Sequence, residues 1–168
     1  MKTPYIAACL AMALLSACAS YSGSSLVAGK STAAEVEALM GKPAERVEAP
    51  GGGSVLYYPR GPLGRVTYAV VLGADGAVQA IEQRLTDANI AKLVVGTATM
   101  KEVRELFGPP STITRYTRLE RDVWQYPMGE NANPYVLYVQ FSSDGMVREV
   151  FKMQDYSAVP PGGRGRRH

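Results

Sequence analysis

Few residues in this 168-residue chain are equipped for chemistry: two cysteines, one histidine and scattered carboxylates. His168 is the last residue, beyond Pro160-Pro161-Gly162-Gly163, in what reads as a floppy tail and hence a poor place for a general base. A nucleophile needs an adjacent base within hydrogen-bond reach, and no Ser/His/Asp or Cys/His set can be assembled. Asp75 and Asp144 each stand alone before a glycine in a turn, without the clustered oxygens that Ca²⁺ requires. Gly51-Gly52-Gly53 lacks the Lys-Ser/Thr of a phosphate loop and reads as a flexible connection. The group Arg115, Arg118, Glu120, Arg121 and Asp122 reads as a solvated mixed-charge hairpin, with a partner contact as the lesser reading. The expectation is a protein without catalytic residues, metal, cofactor or small-molecule substrate. The remaining reactive group is Cys18. It follows Leu15-Ser16-Ala17 at the end of an apolar stretch that begins at Ile6.

The segment that positions Cys18 has a positive start at Lys2 and an uncharged apolar centre. That centre is shorter than the roughly 20 residues a bilayer span needs. Ser16 and Ala17 are small enough for a signal-peptidase groove. Leu15-Ser16-Ala17-Cys18 resembles the lipobox of bacterial lipoproteins, whose cysteine is acylated and becomes the mature N-terminus. The other reading of the segment is an ordinary secretory signal with an incidental cysteine. The resemblance implies that residues 1–17 are removed, Cys9 with them, and that Cys18 becomes a thioether. No disulfide can then form within one mature chain. More than one acyl chain gives stable membrane attachment where one alone is marginal. Ala19, where an Asp would hold a lipoprotein at the inner membrane, implies export to the outer membrane. Residues 18–25, rich in Ser and Gly, form a tether that reaches at most about 27 Å.

The elements beyond the tether recur. Leu26 to Pro43 matches Leu93 to Pro110 at a constant offset of 67, with Gly29/Gly96, Thr32/Thr99, Glu35/Glu102, Val36/Val103, Gly41/Gly108 and Pro43/Pro110 in register. Further on, Tyr58-Pro59 answers Tyr126-Pro127, and Asp75-Gly76 answers Asp144-Gly145. Thr32 with Glu35, and Thr99 with Glu102, have the spacing of a helix capping box. Val36, Leu39 and Met40 then share a helical face, as do Val103, Leu106 and Phe107. Gly41 and Gly108 stand where a helix ends in the left-handed conformation, with proline close behind. A preceding helix over Asp87–Val95 is expected in the second half only. The predicted strands are Ser54–Tyr58, Val66–Leu72 and Ala77–Arg84, then Ile113–Thr117, Asp122–Tyr126, Tyr135–Phe141 and Met146–Met153. The expected fold class is α+β: two tandem repeats over 26–86 and 87–156, each a short helix or helix pair followed by an antiparallel β-meander. One half of about 65 residues buries little core alone, so the two should pack as one unit. Residues 157–168 read as a disordered basic tail.

The motif Gly-x-x-Thr-x-x-x-Val-x-x-Leu-φ-Gly-x-Pro, the strand Val123-Trp124-Gln125-Tyr126 and the Asp-Gly before the last strand resemble the SmpA/OmlA (BamE-like) family of outer-membrane lipoproteins. The likeness covers roughly 26–154 and occurs twice, where the best-known members carry one copy. Both copies here have two residues between Gly and Thr, where single-domain members often have one. The tandem arrangement also resembles the β-lactamase inhibitory proteins. The resemblance implies a non-enzymatic, lipid-anchored protein-binding module on the periplasmic face of the outer membrane, in envelope assembly or maintenance. The alternative it implies is a module that covers and blocks a periplasmic enzyme.

Charge excludes one class of partner. The formal net charge is +3, but Lys2 lies in the leader and Arg164, Arg166 and Arg167 in the tail. The body between is near neutral and shows no basic face with aromatic platforms, so nucleic acid is not expected. The tail itself could touch an anionic surface. Among the aromatic residues, Tyr57, Trp124 and Tyr126 are the candidates for a protein-binding surface, since Trp and Tyr dominate interface hot spots. Core packing is the competing reading for the same three rings.

Overall fold

The computed structural model describes residues 22–61, 64–129 and 134–158. Leu15, Ser16, Ala17 and Cys18 lie outside these residues, as do the rest of the leader and the tail from 159 onward. The first half holds helix α1 (Ala33–Met40) and strands β1 (Glu45–Glu48), β2 (Ser54–Arg60), β3 (Val66–Leu72) and β4 (Val78–Gln83). The second holds the single-turn helix α2 (Asp87–Ile90), helix α3 (Met100–Phe107) and strands β5 (Thr112–Tyr116), β6 (Arg121–Met128), β7 (Tyr135–Phe141) and β8 (Val147–Gln154). Short 3₁₀ turns occupy Thr117–Leu119 and Tyr156–Ala158. The strands make two separate four-stranded antiparallel sheets, ordered β1-β2-β3-β4 and β5-β6-β7-β8. The class is therefore α+β with few and short helices.

Side-chain oxygens start both longer helices. The Thr32 hydroxyl accepts from the Glu35 amide at 3.3 Å, and Glu35 Oε2 accepts from the Thr32 amide at 2.7 Å. Thr99 and Glu102 repeat this at 3.2 and 2.7 Å. Each box satisfies donors that the first helical turn cannot pair internally. The helix ends differ from expectation. Gly41 (φ 80°, ψ −171°) and Gly108 (φ 80°, ψ −162°) have the expected positive φ, but ψ is extended rather than left-handed helical. That corner of backbone space is open essentially to glycine alone, whereas the left-handed helical region also admits Asn. The expected helix over Asp87–Val95 is also shorter: it stops at Ile90, after one turn capped by Thr86.

Strands β3 and β7 coincide with the alternating segments predicted for them. β1 was not predicted. Glu45-Arg46-Val47-Glu48 has one apolar residue and hence no apolar alternation to read. Its place is at a sheet edge, where charged side chains discourage pairing with foreign strands.

Two cores result. In the first, Val36 and Met40 of α1 pack on Leu56, Tyr58, Val70, Leu72 and Val78. In the second, Val103 and Phe107 of α3 pack on Trp124, Tyr126, Leu137, Val139 and Phe141, among others. Each fully buried Val or Leu contributes about 1.5–3 kcal/mol through removal of apolar surface from water.

Candidate functional site at the junction of the two sheets

The three rings proposed as an exposed partner surface are buried. Tyr57, Trp124 and Tyr126 are 2, 7 and 1% exposed. Strand alternation explains Trp124 and Tyr126: both point from β6 to the face that α3 covers. Trp124 meets Phe141 at a ring separation of 4.8 Å, and Tyr126 meets Phe107 at 5.2 Å. Tyr57 points to the opposite face of its own sheet, away from α1. What covers it there is the C-terminal end of α3. An accessible surface made of these rings is thus ruled out by packing.

This contact is the junction of the two halves. Gly108 lies so close to Tyr57 and Thr67 that a Cβ on it would sit 2.7 Å from Tyr57 Cδ1 and 3.2 Å from Thr67 Cγ2. The Tyr57 hydroxyl donates to the Glu105 carbonyl at 3.2 Å. Arg104 forks onto Glu45, with Nε and Nη2 at 2.7 and 2.8 Å from the two carboxylate oxygens, and its guanidinium also lies 5.8 Å above the Trp124 ring. Glu45 raises the Arg104 pKa through these hydrogen bonds, and burial raises that of Tyr57. Arg104 remains more than a third exposed, so the pair is worth no more than about 1 kcal/mol. Two further ties are better shielded. Asn89 donates its side-chain amide to the Arg84 carbonyl at 2.8 Å. Arg65 pairs with Asp155 and donates to the Met128 carbonyl at 2.9 Å.

The layers therefore run α1, first sheet, α3, second sheet. Among the described residues one broad face carries no helix: the side of the second sheet away from α3. In the first sheet, Tyr57, Ala69 and Glu82 are neighbours across β2, β3 and β4 on the covered face. At the corresponding register of the second sheet stand Gln125, Tyr138 and Phe151. These belong to neither core and are only partly buried. The Tyr138 and Phe151 rings stack at 5.0 Å and 6°, and Met153 beside them is 54% exposed.

The repeated-motif residues serve structure. Thr32, Glu35, Thr99 and Glu102 cap helices, Val36 and Val103 are fully buried, and Gly29 and Gly96 bond through their amides to the Val78 and Val147 carbonyls at 2.7 and 2.8 Å. Pro43 and Pro110 lie between a helix end and the first strand of each sheet. Asp75 and Asp144 each accept from a turn amide, those of Ala77 and Met146 at 3.1 and 3.0 Å. Among the described residues no group of three or more His, Cys, Asp or Glu is placed to hold a metal ion. Sequence reasoning missed Glu45, Arg65, Arg84, Asn89, Lys92 and Asp155. The partners of Glu45, Arg65 and Asp155 lie 59 to 90 positions away, and those of Arg84, Asn89 and Lys92 lie mostly within five, at spacings that match no motif.

No family model matches the chain, and no curated protein matches it significantly. Among solved structures it is similar to YjgB, a DUF4309 family protein from Bacillus subtilis, at 20% identity over 77% of this chain and 82% of that one, with a TM-score of 0.32.

Proposed function

We propose that this protein is a lipid-anchored, non-enzymatic binding module that holds a protein partner at the periplasmic face of the outer membrane, in envelope assembly or maintenance, as its resemblance to the SmpA/OmlA family implies. The observation that carries the reading is the bare face of the second sheet. Its aromatic stack, exposed Met153 and flanking Gln125 and Gln140 combine apolar area with hydrogen-bonding groups, the mixture found at protein interfaces. This face replaces Tyr57, Trp124 and Tyr126 as the candidate surface. The two halves are in this reading tandem copies of one unit, a helix followed by a β-meander. The near-identical cap angles support it: Thr32 at φ −98°, ψ 165° and Thr99 at φ −101°, ψ 164°.

Anchoring and binding are tested separately. Metabolic labelling with palmitate should mark the chain and fail on Cys18→Ser, which should also leave the membrane fraction. A photo-crosslinking amino acid at Tyr138 or Met153, read by mass spectrometry from intact cells, should capture an envelope protein. The same probe at Lys30, on the exposed loop before α1, should not. Capture at Lys30 alone, or at none of the three, would refute the assigned face.

A further inference from the structure

A cleft of about 520 Å³ opens beside the junction, between the covered face of the first sheet and the segment from Lys92 to Leu106. Its walls are apolar: Val47 and Val55 from the sheet, Leu93, Val94, Ala98 and Leu106 from the other side. The volume lies within the range of ordinary small-ligand pockets. Three acids line it, and each has a donor of its own. Glu102 accepts from the Thr99 amide and hydroxyl, Glu105 pairs with Lys101 at 3.6 Å, and Glu48 meets Arg46 at 3.8 Å.

The two cations that line it are less well served. The Arg84 side chain is only 18% exposed; one guanidinium nitrogen meets Glu82 at 3.1 Å, but its Nε is buried without a hydrogen-bond partner among the described residues. A donor buried in this way carries a desolvation cost that an acceptor would relieve. The Lys92 ammonium meets the neutral side-chain oxygen of Asn89 at 2.8 Å, and among the described residues no carboxylate pairs with it. The cleft thus combines an apolar trough with an end at which, among the described residues, Arg84 pairs with Glu82 and the Lys92 ammonium has no carboxylate partner. Tyr57 adds no polar demand, because its hydroxyl is already used on the Glu105 carbonyl.

We infer that this cleft binds a free fatty acid, its chain lying along Val47, Val55, Leu93 and Val94 and its carboxylate reaching the Arg84 and Lys92 side chains. A carboxylate supplies the charge that Lys92 lacks and a further acceptor for the accessible part of the Arg84 guanidinium, Nε itself being buried. The chain covers apolar walls that water wets at a cost. An extended peptide fits less well, because its amides would find few partners on these walls. This site is separate from the bare face of the second sheet and stands whether or not that face binds protein.

The test uses the purified full-length chain and decanoate below its micellar concentration, followed by methyl NMR and titration calorimetry. Decanoate should bind with one-to-one stoichiometry and shift the methyl signals of Val47, Val55 and Leu106. Decanol, with the same chain and no charge, should bind at least tenfold more weakly, and decyltrimethylammonium should not bind. Arg84→Gln with Lys92→Gln should weaken decanoate at least tenfold while leaving decanol unchanged. Val94→Glu, at a position 59% exposed and so harmless to folding, should weaken decanoate and decanol alike, because it puts a charge on the wall where the chain lies. Equal affinity for decanoate and decanol, shifts confined to methyls outside the cleft, or no binding by the folded chain would overturn the assignment.

Discussion

Tyr58 and Tyr126 show how one neighbour alters the worth of a hydroxyl. Both are buried on the helix-facing side of their sheets. Tyr126 donates to the Gly108 carbonyl at 3.2 Å, whereas the Tyr58 hydroxyl has no partner among the described residues and the Met40 carbonyl at the end of α1 is taken by Arg60. A made hydrogen bond contributes about 0.5–1.5 kcal/mol, and an unsatisfied buried group costs 1–3 kcal/mol. Urea unfolding should therefore show Tyr126→Phe less stable by about 1 kcal/mol and Tyr58→Phe unchanged or more stable. The Arg60 guanidinium, 5.0 Å from the Tyr58 ring centre, keeps its contact in that variant because the ring remains. The pH dependence follows from the same burial, which, with the Glu37 charge adding to it, pushes Tyr58 up to about 12 from an ordinary 10. Above pH 10 the unfolded chain loses this proton while the folded one keeps it. Stability is thus full below pH 10 and falls as pH climbs toward 12. Midpoints in urea from pH 9 to 11.5 should decline, and Tyr58→Phe should flatten the decline.

The helix-ending glycines test the elements. Gly41 has open space where a Cβ would go, so Gly41→Ala meets backbone strain alone, about 1–3 kcal/mol. Gly108→Ala meets the same strain and also drives a methyl into the Tyr57 ring and Thr67. Thermal unfolding should rank Gly108→Ala clearly below Gly41→Ala, and equal losses would mean that α3 does not press on the first sheet. Thr99→Ala removes a cap and should cost about 1 kcal/mol. These elements were legible because their signals are local: the Thr-x-x-Glu boxes, the Asp-Gly turns, and the alternation through Tyr135 to Phe141 that fixed β7 at both ends. β1 was illegible because Glu45-Arg46-Val47-Glu48 is held by pairing to β2 and not by apolar periodicity. The backbone at Gly41 and Gly108 was half legible. Sequence demanded positive φ, while ψ is fixed by how the chain leaves the helix toward the next strand.

At the scale of the molecule, the junction rests on contacts that sequence could not announce. Tyr57 alternates with Leu56 and Tyr58, and nothing local says that both faces of its strand are covered. Its burial against α3 depends on a residue 48 positions away, Glu105. Arg65 and Asp155 are 90 positions apart, and both side chains are nearly buried. Removing one partner leaves the other part-buried and unpaired, at a cost of about 1–3 kcal/mol. Asp155→Ala should accordingly lower the unfolding midpoint and separate one transition into two by calorimetry as the halves uncouple; a single unshifted transition would count against this role. Ser157 and Arg65 hold the Asp155 carboxyl below the usual carboxylate range. Its contribution is present above about pH 4 and is lost as pH falls through that lowered value. Among the described residues the layer order α1, sheet, α3, sheet also has unlike ends, a helix at one and an uncovered sheet at the other. Unlike ends that matched would add copy to copy into an open fibre. They do not match. Tyr138 stands at the register of Ala69, Thr112 at that of Glu45, and α1 offers Glu37 where α3 offers Arg104. The small residue that lets a helix end settle, and the charge that grips it, are present once and absent at the open end. The described layers thus have direction without a matching pair of ends.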